Sequence, residues 1–387
     1  MLALRLARGA HPLVLLRRLA VSAASAGTGF LLLCTLGYAV GHPDAARASA
    51  LRLAWCAAPL AATVHLAVAV ARTDPATRPR AGLSAVGLGP GRMMLLSAIS
   101  TAVSCLLGSL LALALFLHLR GDISGLPLDG GAAELLGAGR PMPLPAVFTL
   151  LLLVPLAATA AGAVALRPRQ LKPGDEQDPQ APEPPAPAPG GLPWGVALMA
   201  AGLAVETYAA RGTGTGGLPL PGPVAAASAA VLAGWAVTAL GLALAGPGLT
   251  FLCGRVLQSL RPGAARLLAG RVLQEEARRI GRPLGVVCAV ASGAIAAVSL
   301  YGDGAPRTGP LTLLGVTLVG GCTVLTLLTA AVEARQARAH TTAALLRLGA
   351  PMSLLRGAAG LRAIALFTVF APLTWAIGTL AAVPLTS

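Results

Sequence analysis

Long apolar runs, each close to the length of a bilayer crossing, alternate with short polar segments along most of this chain. A helix needs about 20 predominantly apolar residues to cross a hydrocarbon core ~30 Å thick. Runs of that kind occur at Leu19–Val40, Leu51–Val70, Met94–Leu119, Leu144–Leu166, Trp194–Ala210, Val224–Ala245, Leu284–Tyr301, Leu311–Val332 and Ile364–Val383. Each predicts a transmembrane helix, giving nine spans, or ten if the last run is two short segments broken near Pro372. The fifth and seventh runs are the shortest. Composition agrees with the pattern: the 387 residues are 56% hydrophobic and 11% charged, with mean hydropathy +0.76. Soluble domains carry about 25% charged residues, so this chain has too few to cover a water-exposed surface. The expected fold class is all-α, a polytopic integral membrane protein.

Charge then orients the spans. Basic residues cluster in alternate loops. The N-terminal arm holds Arg5, Arg8, Arg17 and Arg18; the second loop Arg72, Arg78, Arg80 and Arg92; the Pro-rich linker Arg167, Arg169 and Lys172. The loop after the sixth span holds Arg255, Arg261, Arg266, Arg271, Arg278, Arg279 and Arg282, and that after the eighth Arg335, Arg338, Arg347, Arg356 and Arg362. The other side holds only Arg47, Arg52, Arg120, Arg140, Arg211 and Arg307 out of 29 basic residues. The positive-inside rule therefore predicts a cytoplasmic N-terminus and an external C-terminus. Tyr38, Tyr208 and Tyr301 all fall at the predicted outer ends of spans, where an apolar ring with a polar hydroxyl is favoured. The net charge of +15 does not imply nucleic acid, because the arginines sit beside spans with no aromatic-flanked basic surface on which bases could stack; anionic lipid is the expected partner of that charge.

The N-terminal arginines precede a full-length span, so the start is read as part of a multispan protein rather than a cleaved signal peptide. Alanine, arginine, glycine and proline abound while Lys172 is the single lysine, a bias that fits a high-GC bacterial genome and hence a bacterial plasma membrane. Cys34, Cys56, Cys105, Cys253, Cys288 and Cys322 lie in or just past spans without metal-ligand spacing and read as small packing residues. Residues 167–192 carry DEQDPQAPEPPAPAP, predicted to be an extended cytoplasmic linker.

The two halves echo each other. Each opens on a basic amphipathic stretch, RLARGAHPLVLLRRLA in the first and LAGRVLQEEARRIGRPLG in the second, followed by a span, a short outer loop and another span. Next comes a cytoplasmic segment that is neither fully polar nor a span: LSAVGLGPGRMMLLSA (Leu83–Ala98) and AALLRLGAPMSLLRGAAGLRA (Ala343–Ala363). In both, apolar residues lead to a glycine (Gly87, Gly349), a turn with proline (Pro90, Pro351), an arginine and then the next membrane helix. Glycine and proline end a short helix, so each segment is expected to form an elbow along the cytoplasmic surface.

The segment ALLRLGAPMSLLRGAAGLRAIAL resembles the cytoplasmic coupling region of FtsX-like permeases, the MacB-type membrane subunits of ABC transporters. Leu346, Arg347, Leu348, Gly349 and Ala350 match that family's LR-LGA core and Arg356 its following basic helix; in the weaker first copy, Val86, Gly87 and Leu88 stand at the core and Arg92 at the basic helix. The resemblance implies an FtsX-like unit of four spans over 1–166, the linker 167–192, a connecting pair of spans over 193–254, and a second FtsX-like unit of three spans over 255–387 without a clear last span. It implies a permease whose elbows, marked by Gly87, Arg92, Arg347, Gly349 and Arg356, seat on a separate ABC ATP-binding subunit, present in two copies. ATP hydrolysis there would move the membrane helices, to export or extrude a hydrophobic or amphiphilic substrate or to perform mechanotransmission. The chain itself has no G-x-x-x-x-G-K-[ST] motif, and no cofactor or enzymatic activity is expected of it; GLGPGR reads as a turn. Family members often carry a large external domain after a unit's first span, whereas here the loops Gly41–Ala50 and Gly302–Pro310 are very short. Those short loops favour the alternative, a non-transporting membrane regulator or sensor beside an ATPase or a two-component kinase.

Other ionisable residues are read as structural. Glu206, near Arg211 at the end of the fifth span, is expected to be solvated or paired, and His65 to bond a neighbouring helix. His118 and Glu333 sit at span ends. Glu275, Glu276, Arg278 and Arg279 are expected to form a solvated or lipid-facing charged face. A membrane-embedded enzyme would need clustered His, Asp, Glu, Ser or Cys at membrane depth, and a secondary transporter charged midplane residues; neither pattern occurs.

Overall fold

The computed structural model describes residues 12–73, 90–122, 131–133, 136, 139–167, 188–211, 229–259, 263–301 and 309–386. Among them every regular element is an α-helix: α1 Pro12–Gly41, α2 Ala46–Trp55, α3 Ala57–Thr73, α4 Pro90–Arg120, α5 Leu144–Ala165, α6 Gly191–Arg211, α7 Ala229–Ser259, α8 Ala264–Tyr301, α9 Pro310–Ala337, α10 Ala339–Arg347 and α11 Met352–Thr386. With α2 and α3 taken as one crossing, nine spans among the described residues are long and apolar enough to cross a membrane, and α10 is the helix left over. The protein is an all-helical, multi-pass membrane protein.

Several helices differ from the apolar runs that announced them. Leu51–Val70 is divided at Cys56, whose N–H bonds to Arg52 O and Leu53 O at the end of α2. Pro59 has no N–H to offer the carbonyl four residues back, so the ladder is interrupted just there. Conversely, the basic stretch before the seventh span is continuous with it: α8 has 38 residues and runs through Pro283. At 1.5 Å per residue that is about 57 Å, nearly twice the hydrocarbon core. A proline is tolerated in such a helix where neighbours satisfy the freed backbone groups. Likewise α11 passes unbroken through Pro372, so the last apolar run is one helix and not two short segments.

The described residues fall into two units, one within Met1–Asp175 and Gly309–Thr326, the other within Glu176–Thr308 and Leu327–Ser387. In the first, α1 packs against α3, α4 and α5. Lipid tails are as apolar as leucine, so helix association in a bilayer leans on close packing and interhelical hydrogen bonds. Both are present. The Thr28 and Thr63 hydroxyls lie 2.9 Å apart, Ser25 Oγ donates to Cys105 O at 2.9 Å, and Ser109 Oγ donates to Leu151 O at 2.9 Å. Gly108 lies so close to α1 that a methyl group on it would be 2.7 Å from Ser25 Cβ. At one end of this unit the Arg52 guanidinium sits 3.5 Å from the Tyr38 ring centroid, with His42 stacked on that ring, while Arg140 donates to the carbonyls of Val40 and Gly41. These residues come from segments the charge pattern assigns to one side.

In the second unit α7 is central, packed against α6, α8 and α11, and α8 also packs on α11. Met199, Leu242, Ala245, Cys288, Phe370 and Ile377 are buried together. The α7–α8 contact is glycine-lined. A methyl group at Gly281 would lie 2.5 Å from Pro247 Cα, and one at Gly285 would lie 2.5 Å from Leu242 O. All six cysteines are buried with free thiols. Apolar side chains such as Leu313, Val316, Phe367 and Trp375 face outwards, the surface a bilayer covers.

Candidate functional site

The second-half elbow is built from α10 and the start of α11. The last turn of α10 closes with Leu348 N–H on Ala344 O, Gly349 N–H on Leu346 O and Ala350 N–H on Leu345 O, at 3.0–3.1 Å. The last two bonds are the reciprocal pair of a Schellman motif, which requires a left-handed residue just past the helix end. Gly349 supplies it with φ +86°, a region that costs any residue with a Cβ about 1–2 kcal/mol. A methyl group on Gly349 would meet nothing within 4 Å, so conformation alone selects glycine there. The chain then turns through Pro351 into α11, where Leu354 N–H bonds Pro351 O at 3.1 Å. The resulting tip is exposed: Leu348 is 84% accessible, Met352 is 54%, and Arg347 and Arg356 are also on the surface. Two apolar side chains between two arginines make a surface that a soluble protein with an apolar groove and carboxylates could hold.

The base of the elbow is tied to the long α8 rod. Arg338, at the junction of α9 and α10, places Nε 2.8 Å from Glu276 Oε1 and also donates to Ala334 O at 3.1 Å. Glu276 is 8% exposed, and Leu273 and Ala277 beside it are buried. This corrects the expectation of a solvated charged face. Steps of 100° per residue bring Glu276 round to the face of Ala269, Leu273 and Ala277. Glu275 does behave as expected, exposed and paired with Arg271 at 3.5 Å one turn earlier. The sequence held the clue to Glu276 in its register with Leu273.

The first-half copy is only partly described. Gly87 lies outside the described residues. Arg92 belongs to the first turn of α4. Pro90, Gly91 and Arg92, expected in a turn, are already helical, because proline at a first helical position has its φ preset and no N–H to waste. Arg347, Gly349 and Arg356 are thus the predicted residues that the described structure brings into one feature.

A second site departs from the expectation of a solvated Glu206. Glu206 is fully buried between α6 and α7, not solvated. Its Oε1 accepts a hydrogen bond from Thr238 Oγ1 at 3.1 Å, while Oε2 has no partner among the described residues. Small residues let the carboxyl in: a methyl group at Gly234 would lie 2.6 Å from Glu206 Cγ. The signal was available as Gly202, Glu206, Gly234 and Thr238, small and polar residues at four-residue spacing on two successive spans. Among the described residues no group of His, Cys, Asp and Glu is arranged to hold a metal ion.

Compared with protein families, with curated proteins and with solved structures, the chain has no match. A function for it is read from its own residues.

Proposed function

We propose that this chain is the membrane subunit of an ABC transporter, an FtsX-like permease that converts ATP hydrolysis by a separate ATP-binding subunit into movement of its membrane helices. The observation that carries the proposal is the α10–Gly349–α11 elbow: a short helix locked by a Schellman turn to the start of a membrane-length helix, with Arg347, Leu348, Met352 and Arg356 exposed. A push on that tip has two rigid ways into the membrane. One is directly along α11. The other runs through the Arg338–Glu276 pair into α8, which itself packs on α11. Both lead to the α8–α11 pair. The chain has no phosphate-binding loop of its own, so the energy must come from a partner. Cargo would be hydrophobic or amphiphilic, because the outer loops Gly41–Ala50 and Gly302–Pro310 are too short to grip a polar one. The arginine-rich loops support a cytoplasmic elbow and N-terminus, in a bacterial plasma membrane.

The test is purification of the tagged chain from its native membranes with its partners retained. The proposal expects a co-purifying protein with an ATP-binding cassette, and ATPase activity that falls in the charge-reversal variant Arg347→Glu/Arg356→Glu while the membrane subunit remains folded. A membrane subunit that purifies with a sensor kinase and no ATPase would replace this reading with that of a regulator.

A further inference from the structure

We infer that Glu206 is a proton-binding site inside the membrane, holding a neutral carboxylic acid while α6 and α7 are packed together. The inference does not depend on the transporter reading. It rests on three observations. Glu206 is fully buried, and its donor Thr238 is 5% exposed. Thr238 Oγ1 donates to Oε1 at 3.1 Å, and Oε2 has no partner among the described residues. Among the described residues Glu206 makes no ion pair. The α7 residues from Ala229 to Leu252 and the α11 residues from Ala363 to Thr386 carry no ionisable group, only apolar and hydroxyl side chains. The connecting segment Gly212–Ser228 likewise has none. On α6 itself Tyr208 is 84% exposed.

Those facts set one protonation state against the other. An ionised carboxylate here would be shut from solvent with a single hydroxyl donor among the described residues, an arrangement in which a buried charge is costly. A neutral acid leaves only one O–H without an acceptor. The smaller loss belongs to the neutral form, so the closed α6–α7 pair binds a proton at this carboxyl. The packing makes the coupling tight. Gly234 stands against Glu206 Cγ, and a methyl group at Gly241 would lie 2.6 Å from Met199 N. Separation of these helices would open the carboxyl to water and release the proton. The site is therefore suited to exchange protons in step with movement of α6 against α7.

Carbodiimides test this on the unaltered protein. The acid O–H adds across one C=N bond: the carboxyl oxygen bonds the central carbon, the proton passes to nitrogen, and an acyl shift to nitrogen leaves a stable adduct with no leaving group. Purified protein in lipid nanodiscs is treated with dicyclohexylcarbodiimide, which partitions into apolar regions, or with a water-soluble carbodiimide, and then digested for mass spectrometry. The inference expects the apolar reagent to add at Glu206, the water-soluble one to spare Glu206 while reacting at exposed Glu275, and labelling at Glu206 to fall when pH is raised. The adduct should be lost in Glu206→Gln. A covered peptide with unmodified Glu206 would overturn the inference, as would reaction at Glu206 with the water-soluble reagent as fast as at Glu275.

Discussion

Glu276 lies against Leu273 and Ala277 with its carboxylate on Arg338, whereas Glu275, next to it in the chain, faces solvent. A single hydrogen bond to a charged group is worth about 1.5–3 kcal/mol, and Glu276 is buried enough for the bond to Arg338 to count toward that range. Glu276→Gln and Arg338→Gln should each destabilise the solubilised protein by about 2 kcal/mol, because each leaves the other partner's charge without its counterpart. The double variant should cost clearly less than their sum, as read from thermal melts in a double-mutant cycle; strict additivity would mean the pair carries no coupling. Glu275→Gln, which removes a solvated pair, should change little. Individual ionisable residues were the least legible part of the sequence. Composition marks Glu206 and Glu276 only as charges near or before a span. Whether such a charge meets water, lipid or another helix depends on rotation about the helix and on the small residues opposite, here Gly234 for Glu206, and those lie 28 or more residues away.

Among elements, the elbow was legible because its turn is written in residue types with narrow roles. Glycine in a left-handed Schellman position and proline just beyond it stop one helix and start another whatever surrounds them, so Gly349 and Pro351 could be placed from the sequence alone. Gly349→Ala should cost about 1 kcal/mol through its positive φ and, on the proposed function, lower the ATPase activity of the partner by loosening α10 from α11. Gly349→Asn, which tolerates that conformation better, should retain more of both. Equal effects of Ala and Asn would show that something other than backbone conformation selects glycine. The continuity of α8 and α11 was harder to read. Pro283 and Pro372 look like breaks to local rules, and long membrane helices retain them because packed neighbours and the bilayer compensate. Pro59 behaves as the local rule says, since α2 ends just before it.

At the scale of the whole molecule, hydropathy was sufficient for the number of spans among the described residues, since every apolar run became a membrane-length span, one of them divided at Cys56 into α2 and α3. On the proposed topology, an odd number of spans places the two termini on opposite sides. Reporter fusions should give a cytoplasmic signal at the N-terminus and an external one after Val383; a cytoplasmic signal after Val383 would, with α11 crossing once, put the elbow outside and remove the proposed function. The packing of α6 and α7 with α8 and α11 could not be read from the run of spans, because it depends on the glycine faces that let α7 approach α6 and α8. The most direct test of the central claim is a photocrosslink from the elbow tip. A benzophenone amino acid in place of Leu348, which is 84% exposed, is introduced into the full chain and irradiated in native membranes with and without ATP. The account predicts a crosslink to a protein carrying an ATP-binding cassette, with a yield that changes when ATP is added. A tip that crosslinks to lipid alone, or to a protein without a nucleotide-binding motif, would contradict it.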